Sequence, residues 1–318
     1  MDTQRGMKII GTPLAQNAPE RGAAIAIGNF DGVHLGHRVV LDHARMAAQR
    51  LGAPLGVLTF EPHPRSFFAP NAPDFRLMNA AAKAHRLEKL GVDILYQLPF
   101  NGDLSTLSPE DFARAILRDG LGVRHVSVGA DFCFGKGRAG TVDDLIAFGR
   151  KFGFDCEIAP LKHIGPEEIS STAIRAALGA GDPRKAAALL GHGHRIDGPV
   201  IHGEKRGREL GFPTANMDLS GLHIPKHGVY AVLVDVLDGP HQGRYHGAAS
   251  IGVRPMFGEN TPNCETFLFD FKGDLYGAQL SIGLVDFLRP EAKFDGLAAL
   301  IAQMDADCAR AKTILATI

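Results

Sequence analysis

AAIAIGNFDGVHLGH, residues 23–37, passes from a continuous apolar run into a glycine-containing turn and then into a helical pattern. A short apolar run of this kind indicates a strand that is buried on both faces. Where such a strand leads into a helix, the backbone N–H groups of the turn and of the first helical residues can face a phosphate. The segment therefore predicts an α/β domain with an anion site at the end of this strand.

The same alternation extends over the first half of the chain. Four further apolar runs, LGVLTF, DILYQL, HVSVGA and CEIAP, alternate with helical patterns at residues 37–50, 109–118 and 142–152. Strands that alternate with helices predict a parallel sheet covered by helices. Two short helical segments, STAIRAAL and DPRKAAALL, follow and end at Leu190. Residues 1–190 are therefore predicted to form a Rossmann-like α/β domain.

The sequence pattern changes after Leu190. The runs VYAVLVDVL, RYHGAASIGV, ETFLFDF and AQLSIGLVDFL are separated by Gly, Pro and Asp, without helical patterns between them. Such spacing is typical of a small antiparallel barrel. A helical pattern from Phe294 to Leu315 follows the last run. Residues 191–318 are therefore predicted to form a small antiparallel β-barrel with a terminal helix.

Composition narrows the class of protein. A formal net charge of −1 gives no basic surface for a nucleic-acid backbone. No apolar stretch approaches the roughly 18 residues of a membrane span, and the start of the chain has no signal-peptide core. The four cysteines form no C-x-x-C pair. We expect a cytoplasmic enzyme of small molecules, without nucleic-acid or membrane partners, that is a monomer or a loose homo-oligomer.

His34 and His37 stand at the turn between the first strand and its helix, after Gly28, Asn29 and Phe30. Two imidazoles beside a bound phosphate can stabilise charge on a phosphorus that is being transferred. An H-x-x-H pair also occurs as a pair of surface residues or as a pair of zinc ligands. The position between a strand and a helix favours the phosphate chemistry.

A second candidate element begins a later helix. Ser170, Ser171 and Thr172 lie where this helix starts, and Arg175 lies one turn inside it. An N-cap accounts for one hydroxyl group, whereas three hydroxyls and an arginine at a positive helix end could hold the β- and γ-phosphates of ATP. An ordinary cap remains the alternative for this segment.

Two more segments lie at predicted strand ends, where open α/β sheets bind ligands. They are FEPHPR, residues 60–65, and GADFCFGKGRAG, residues 129–140, which contains Asp131. These four segments, in this order, resemble the nucleotidyltransferase domain of prokaryotic FAD synthetases. The resemblance implies adenylyl transfer from ATP to FMN with release of pyrophosphate. It places His34 and His37 near the α-phosphate and lines the ATP/FMN site with Gly28, Asn29, Phe30, Asp131, Ser171, Thr172 and Arg175.

The second half contains HGEKRGRELGFPTAN, residues 202–216, a glycine-rich basic loop that could hold phosphates. It supplies Gly203, Lys205, Gly211 and Pro213 as candidate ATP/riboflavin-binding residues. Thr214 and Asn216 alternate, so that a hydroxyl and an amide oxygen could face one Mg²⁺, which prefers oxygen ligands. Read alone, PTAN is also typical of a strand that begins after a turn.

Glu265 lies within NCETFLFDF, a run otherwise built for a strand. A carboxylate there could accept a proton from a substrate hydroxyl, although a solvent-facing strand residue would look the same. The segments GRELGFPTAN, HGVYAV, SIGVRPMFG and CETFLFDFKGDLYG resemble the riboflavin kinase domain. The resemblance implies a six-stranded antiparallel barrel, Mg²⁺ and ATP held by Thr214 and Asn216, and Glu265 as the base on the ribityl 5′-hydroxyl. Met256 departs from this pattern, since the family commonly has Thr there.

The two halves together resemble the family of bifunctional riboflavin kinases and FAD synthetases, whose substrates and products are ATP, riboflavin, FMN and FAD. One alternative is a single-activity nucleotidyltransferase for another phosphorylated acceptor, with a barrel that only binds ligand. Another is a flavin-sensing barrel attached to a DNA-binding or partner-binding domain, but no recognition-helix pattern or basic patch favours it.

Overall fold

The computed structural model describes residues 6–12, 14–165, 167–203, 211–256 and 259–318. Its contacts divide the chain into two compact units. The first unit contains Met1–Pro73 and Lys83–Ile169, and the second contains Asp74–Ala82 and Ser170–Ile318.

The first unit is built on a parallel sheet, which confirms the α/β class predicted for it. Its strands are β1 (Lys8–Ile10), β2 (Ala24–Ile27), β3 (Leu55–Glu61), β4 (Ile94–Pro99), β5 (His125–Gly129) and β6 (Asp155–Ala159). They lie in the order β1-β4-β3-β2-β5-β6, and every pairing is parallel. The chain builds one side of the sheet outward from β2 and then returns to place β5 on the other side. The crevice between β2 and β5 is the topological switch point, where sheets of this class bind ligands.

The first unit contains the helices α1 (Leu35–Leu51), α2 (Pro64–Phe68), α4 (Gly102–Thr106), α5 (Pro109–Asp111) and α6 (Val142–Phe152), and helix α3 (Ala80–Lys89) belongs to it from Lys83 onward. Helix α5 runs directly into a π-helix, Phe112–Gly120, in place of the α-helical pattern expected to Arg118. A short hairpin of β7 (His163–Ile164) and β8 (Glu167–Glu168) follows the sheet. The buried stripe of α1, which includes Val40, Leu41 and Ala44, packs against the apolar strands.

The second unit is built on a curled antiparallel sheet, as the sequence predicted. Its strands are β9 (His194–Pro199), β10 (Thr214–Asp218), β11 (Gly228–Val236), β12 (Gly243–Met256), β13 (Glu259–Leu268) and β14 (Gln279–Arg289). The order is β10-β13-β12-β11-β14-β9. The two edges meet beyond β9, where Ile201 N donates to Asn216 O at 2.8 Å. The sheet therefore curls into a half-barrel whose edges approach at one bridge.

Among the described residues, the second unit also contains the helices α7 (Ser171–Ala180), α8 (Pro183–Leu190) and α9 (Leu297–Leu315). Helix α9 packs on the outer face of the sheet, with Ala311 and Leu315 against Ala231 and Leu288. It begins at Leu297 and not at Phe294 as predicted, because Gly296 has a φ of 110°, which a right-handed helix cannot contain.

Candidate active sites

The turn after β2 has an unusual backbone. Phe30, Gly32 and Val33 have φ values of 52°, 84° and 44°. Positive φ is unfavourable for Phe and above all for the β-branched Val, so such a turn persists only where its surroundings hold it. Phe30 and Val33 are both fully buried, and their side chains anchor the turn in the core. The backbone of this segment is therefore a constrained structure.

His34 and His37 form a stacked pair at the N-terminus of α1. Their ring centroids are 3.7 Å apart, and His37 N donates to His34 Nδ1 at 3.2 Å, so His34 is the N-cap of the helix. A Cβ at Gly36 would lie 3.1 Å from the His34 ring, which is closer than ordinary contact, so glycine leaves this ring its position. Phe30 supports the other side of His37, with centroids 4.8 Å apart. The pair is thus fixed at a positive helix end.

His37 is held in its neutral form. Burial lowers the pKa of its imidazole well below the usual value, and the neighbouring charges of His34 and Lys83 lower it further. Its Nδ1 is buried and has no hydrogen-bond partner among the described residues. A neutral imidazole has one N–H donor and one acceptor. His37 can therefore offer a hydrogen bond to a phosphate oxygen but brings no full charge.

Lys83 is a residue that the sequence analysis missed. Its side chain is 2% exposed, and Nζ donates to Thr59 Oγ1 at 3.2 Å and to Asn29 O at 3.3 Å. Thr59 Oγ1 donates to the same Asn29 carbonyl at 3.1 Å. A signal was available, because Lys83 lies four residues before the buried Leu87 and so occupies the apolar face of α3.

The neighbouring strand ends carry other predicted residues. Asp131 follows β5, the strand beside β2, and is exposed at the switch point. His63, in the segment after β3, caps α2 by accepting from Arg65 N at 3.0 Å. Gly28, Asn29, Phe30, His34, His37 and Asp131 therefore all lie at the carboxyl ends of adjacent parallel strands.

Ser171, Thr172 and Arg175 belong to the second unit, so their grouping with His34 and His37 stays a prediction. Ser170 is the N-cap of α7 and accepts from Ala173 N at 3.2 Å. Ser171 is half-buried and Thr172 is exposed in the first turn. Arg175 Nε donates to Phe75 O at 2.6 Å, with the guanidinium 5.4 Å from the Phe75 ring.

Thr214, Asn216 and Glu265 are brought together on one face of the second sheet. Asn216 lies directly opposite Glu265 in the β10–β13 register. Thr214 Oγ1 lies 3.5 Å from Glu265 Oε2, and Asn216 Nδ2 donates to Thr214 O at 3.3 Å. Ser250 of β12 lies opposite Glu265 on its other side. A hydroxyl, an amide and a carboxylate thus share one small area.

Asn263 and the backbone at Gly203 complete this group. Asn263 is 8% exposed and donates from Nδ2 to Glu265 Oε1 at 3.2 Å. It was missed although it lies two residues before Glu265, which places both side chains on one face of the strand. A Cβ on Gly203 would lie 2.4 Å from Asn216 Nδ2. Asn216 is only 5% exposed. The residue packed against its amide must be glycine, because any side chain there would collide with it.

The remaining loop residues lie at the edge of the described region. Gly211 has a φ of 86°, and Pro213 is exposed next to Thr214. Lys205 lies outside the described residues. Among the described residues, no group of three or more His, Cys, Asp or Glu side chains could hold a metal ion. None of the helices in the described part of the chain has the length and apolarity to cross a membrane.

Comparison with known proteins assigns each half of the sequence to a family model. A model described as FAD synthetase matches residues 16–173, and one described as riboflavin kinase matches residues 190–315. A bifunctional riboflavin kinase/FMN adenylyltransferase from Pseudomonas fluorescens is 43% identical over 93% of this chain and 94% of its own length. A protein of the same name from Haemophilus influenzae is 39% identical over 92% of this chain and 94% of its own.

A similar solved structure covers both units. It has a TM-score of 0.81 and 30% sequence identity, and the match covers 95% of this chain and 97% of the other. It comes from Streptococcus pneumoniae and is described as a macrolide-efflux protein.

Proposed function

The chain belongs to the family of bifunctional riboflavin kinase/FMN adenylyltransferases, and from that membership we propose how its residues carry out the two reactions. The chain phosphorylates riboflavin to FMN with ATP and then adenylylates FMN to FAD with ATP, releasing pyrophosphate. The observation that carries this function is the match of both family models along one chain, with relatives of the same two activities over nearly its full length. It gives no support to a single-activity nucleotidyltransferase with a ligand-binding barrel.

For adenylyl transfer, we propose that His34 and His37 contact the α-phosphate of ATP while a phosphate oxygen of FMN attacks its phosphorus. The bond to pyrophosphate breaks as the new P–O bond forms, so no covalent enzyme intermediate is needed. The N-terminus of α1 and a neutral His37 N–H would stabilise the negative charge that builds on the α-phosphate oxygens. The stacked geometry of the two rings and the buried, unpaired His37 Nδ1 support this role.

Gly28, Asn29, Phe30, Asp131, Ser171, Thr172 and Arg175 are proposed to line the same ATP/FMN site. The carboxyl ends of β2 and β5 support the placement of the first four, because they flank the switch point of the sheet. The N-terminus of α7 supports Ser171 and Thr172 as phosphate ligands.

For riboflavin phosphorylation, we propose that Glu265 accepts the proton of the ribityl 5′-hydroxyl as that oxygen attacks the γ-phosphorus of ATP, while the bond from this phosphorus to the leaving ADP breaks. The hydrogen bond from Asn263 to Oε1 and the Thr214 hydroxyl beside Oε2 support this role, because they orient the carboxylate. Gly203, Lys205, Gly211 and Pro213 are proposed to hold ATP or riboflavin along the loop before Thr214.

Mg²⁺ is the cofactor proposed for the kinase reaction. Thr214 Oγ1 and Asn216 Oδ1 would hold it, since a hydroxyl and an amide oxygen beside a carboxylate make a hard oxygen donor set of the kind Mg²⁺ prefers. When bound with ATP, it would neutralise charge on the phosphates. The enclosed position of Asn216 behind Gly203 supports a fixed ligand geometry there.

The two active sites can be tested separately in one purified protein. Glu265→Gln removes the base and is expected to reduce riboflavin phosphorylation by roughly 10²- to 10⁴-fold, with adenylylation of supplied FMN unchanged. His37→Ala is expected to have the opposite effect. Flavins are separated by chromatography over time after mixing with ATP and Mg²⁺. Each variant is the folding control of the other, and loss of both activities in either variant would contradict the two-site assignment.

The cellular setting is also a proposal. We propose that the enzyme acts in the cytoplasm as a monomer or loose homo-oligomer, without nucleic acid or membrane. The net charge of −1 and the four free cysteines support this setting. Sedimentation of the purified chain at several concentrations tests the state of assembly.

A further inference from the structure

Lys83 is a buried cation that none of the steps above uses. It stands in the first turns of α3, and only 2% of its side chain is exposed. A buried ammonium group is costly unless it is paired and hydrogen-bonded. Lys83 Nζ donates hydrogen bonds to Thr59 Oγ1 and Asn29 O, and it forms an ion pair with Glu61 Oε2 at 3.8 Å. These contacts offset the cost of burial.

The first contact of Lys83 is with the constrained turn after β2. Thr59 Oγ1 and Lys83 Nζ both donate to the carbonyl of Asn29, immediately before Phe30 with its φ of 52°. Unfavourable backbone conformations of this kind cost of order 1–3 kcal/mol each and need support from their surroundings. The two bonds to Asn29 O fix one end of the turn, and the Phe30 ring that follows lies against His37.

The second effect of Lys83 is electrostatic. Burial is the main reason that the pKa of His37 lies well below its usual value, and His34 and Lys83 add to it in that order. The charged or titratable groups around this turn include Lys83 and Glu61 from the neighbouring elements, and His34 and Asp31 from the turn itself. A positive charge near His37 opposes its protonation.

We propose that Lys83 is a positioning residue for adenylyl transfer, which holds the Asn29–Val33 turn through the Asn29 carbonyl and so fixes the Phe30 ring against His37. This inference rests on the proposed role of His37. It assigns Lys83 an effect on the rate and on the titration of His37, without contact between Lys83 and the reacting atoms. A lysine that only filled space in the core would change neither property when replaced by an apolar side chain of the same length.

The test compares Lys83→Met with Lys83→Arg in the full-length chain. Lys83→Met keeps the length of the side chain and removes its charge and its donors. We expect kcat for adenylylation of supplied FMN to fall by roughly 10²-fold, the size of effect that misplaced catalytic groups produce. The pKa of His37, followed by NMR in ¹⁵N-histidine protein and assigned with His37→Ala, should rise. Lys83→Arg should keep the low pKa. Lys89→Met, an exposed lysine on the same helix, is the matched control and should leave both unchanged.

Thr59→Val separates the hydrogen bond from the charge. It removes one donor to Asn29 O and one acceptor of Lys83 Nζ but keeps the charge and the bond from Lys83 to Asn29 O, so kcat should fall less than in Lys83→Met while the pKa of His37 stays low. This variant also carries the test if Lys83→Met does not fold, and an unchanged kcat in Thr59→Val would then overturn the proposal. An unchanged kcat in folded Lys83→Met overturns it. Failure of the wild-type chain to adenylylate FMN would instead contradict the proposed function, and the His37 titrations would still stand.

Discussion

At the scale of single residues, the kinase site depends on a glycine that has no chemistry of its own. Gly203 lies so close to Asn216 that a Cβ would come within 2.4 Å of Nδ2 and 2.7 Å of Cγ. Alanine at this position must displace the amide, because separations below 3.0 Å are not tolerated between a real Cβ and its neighbours. Asn216 is opposite Glu265, so a displaced amide disturbs both the proposed metal ligand and the base.

Gly203→Ala is therefore expected to reduce kcat for riboflavin phosphorylation by about 10- to 100-fold, as a shift of around 1 Å in a catalytic group would. Adenylylation of supplied FMN in the same preparation should not change. Gly193→Ala is the matched control, because a Cβ there meets no atom within 4 Å. Equal phosphorylation rates in the two variants would show that Asn216 is not required in its present position. Steady-state kinetics for each reaction, measured separately, decide the outcome.

Much of each candidate site could be predicted from residue types in a local sequence pattern. The rest depends on which residues contact each other in the fold. His34 and His37 could be found because the turn, the glycines and the helix start are adjacent in sequence. Lys83 was not found because its partners, Asn29 and Thr59, lie 54 and 24 residues away. Asn263 could have been predicted, since strand alternation alone places its side chain on the same face of the strand as that of Glu265. A pattern within a single sequence does not show such long-range contacts.

At the scale of secondary structure, the docking of α9 depends on one buried ion pair as well as on apolar contacts. Arg289 of β14 donates from Nε to Asp307 Oδ2 at 2.9 Å and from Nη2 to the same oxygen at 2.8 Å. Gln303 donates to Asp307 Oδ1 at 2.9 Å. Asp307 is 6% exposed, so removing it leaves the Arg289 charge without its partner in a partly buried place.

Asp307→Ala is expected to lower the opening free energy of α9 by about 3–5 kcal/mol, the usual cost of breaking a buried pair from one side. Hydrogen exchange by mass spectrometry, read on peptides from Leu297–Leu315, measures this directly. Asp305→Ala, at an exposed position on the same helix, is the control and should leave exchange unchanged. The double change Arg289→Met with Asp307→Leu should recover most of the protection, because it removes both charges together. Unchanged exchange in Asp307→Ala would mean that the apolar contacts alone dock the helix.

Secondary-structure elements with a long periodic sequence pattern could be predicted. Elements whose hydrogen-bond spacing depends on packing could not. Helix α6 was expected at residues 142–152 and lies there, because a Thr141 capping box starts it and Gly153, with a φ of 85°, ends it. The π-helix Phe112–Gly120 was expected as an α-helix. Its side-chain pattern is amphipathic in either form, and the hydrogen-bond spacing follows from packing. Arg21 donates to the carbonyls of Arg118, Asp119 and Gly120 at its end, a contact that no local pattern contains.

At the scale of the whole molecule, the compact units do not follow the sequence halves. Residues 74–82, which lie between α2 and the body of α3, belong to the unit of the half-barrel. Asn79 Nδ2 donates to Asp197 O at 2.8 Å, and the backbone of Arg76 accepts from His223 N at 2.8 Å. The hydrophobic pattern does not indicate that residues 74–82 belong to this unit, because their partners lie more than 100 residues away in sequence. The division at residue 190 remains a proposal drawn from the change in sequence pattern.

Two fragments test where the kinase domain begins. Helices α7 and α8 belong to the second unit, where Lys226 N donates to Leu178 O at 3.0 Å and Arg184 pairs with Asp286 at 2.7 Å. Leu189 and Leu190 are buried there. A fragment of residues 170–318 keeps these contacts, whereas a fragment of residues 191–318 loses them. Burial of two leucine side chains alone contributes roughly 3–6 kcal/mol, so the longer fragment should be more stable to urea by about that amount.

Both fragments contain Thr214, Asn216 and Glu265, and both should phosphorylate riboflavin under conditions in which they are folded. Neither contains His34 or His37, so neither should adenylylate FMN, which gives a control for contamination by full-length enzyme. Urea unfolding followed by circular dichroism, together with the rate of FMN formation at each urea concentration, measures stability and activity on the same sample. Equal midpoints for the two fragments would place the start of the domain at residue 191. A lower midpoint for the short fragment, with activity lost in step with structure, would make α7 and α8 part of the kinase domain.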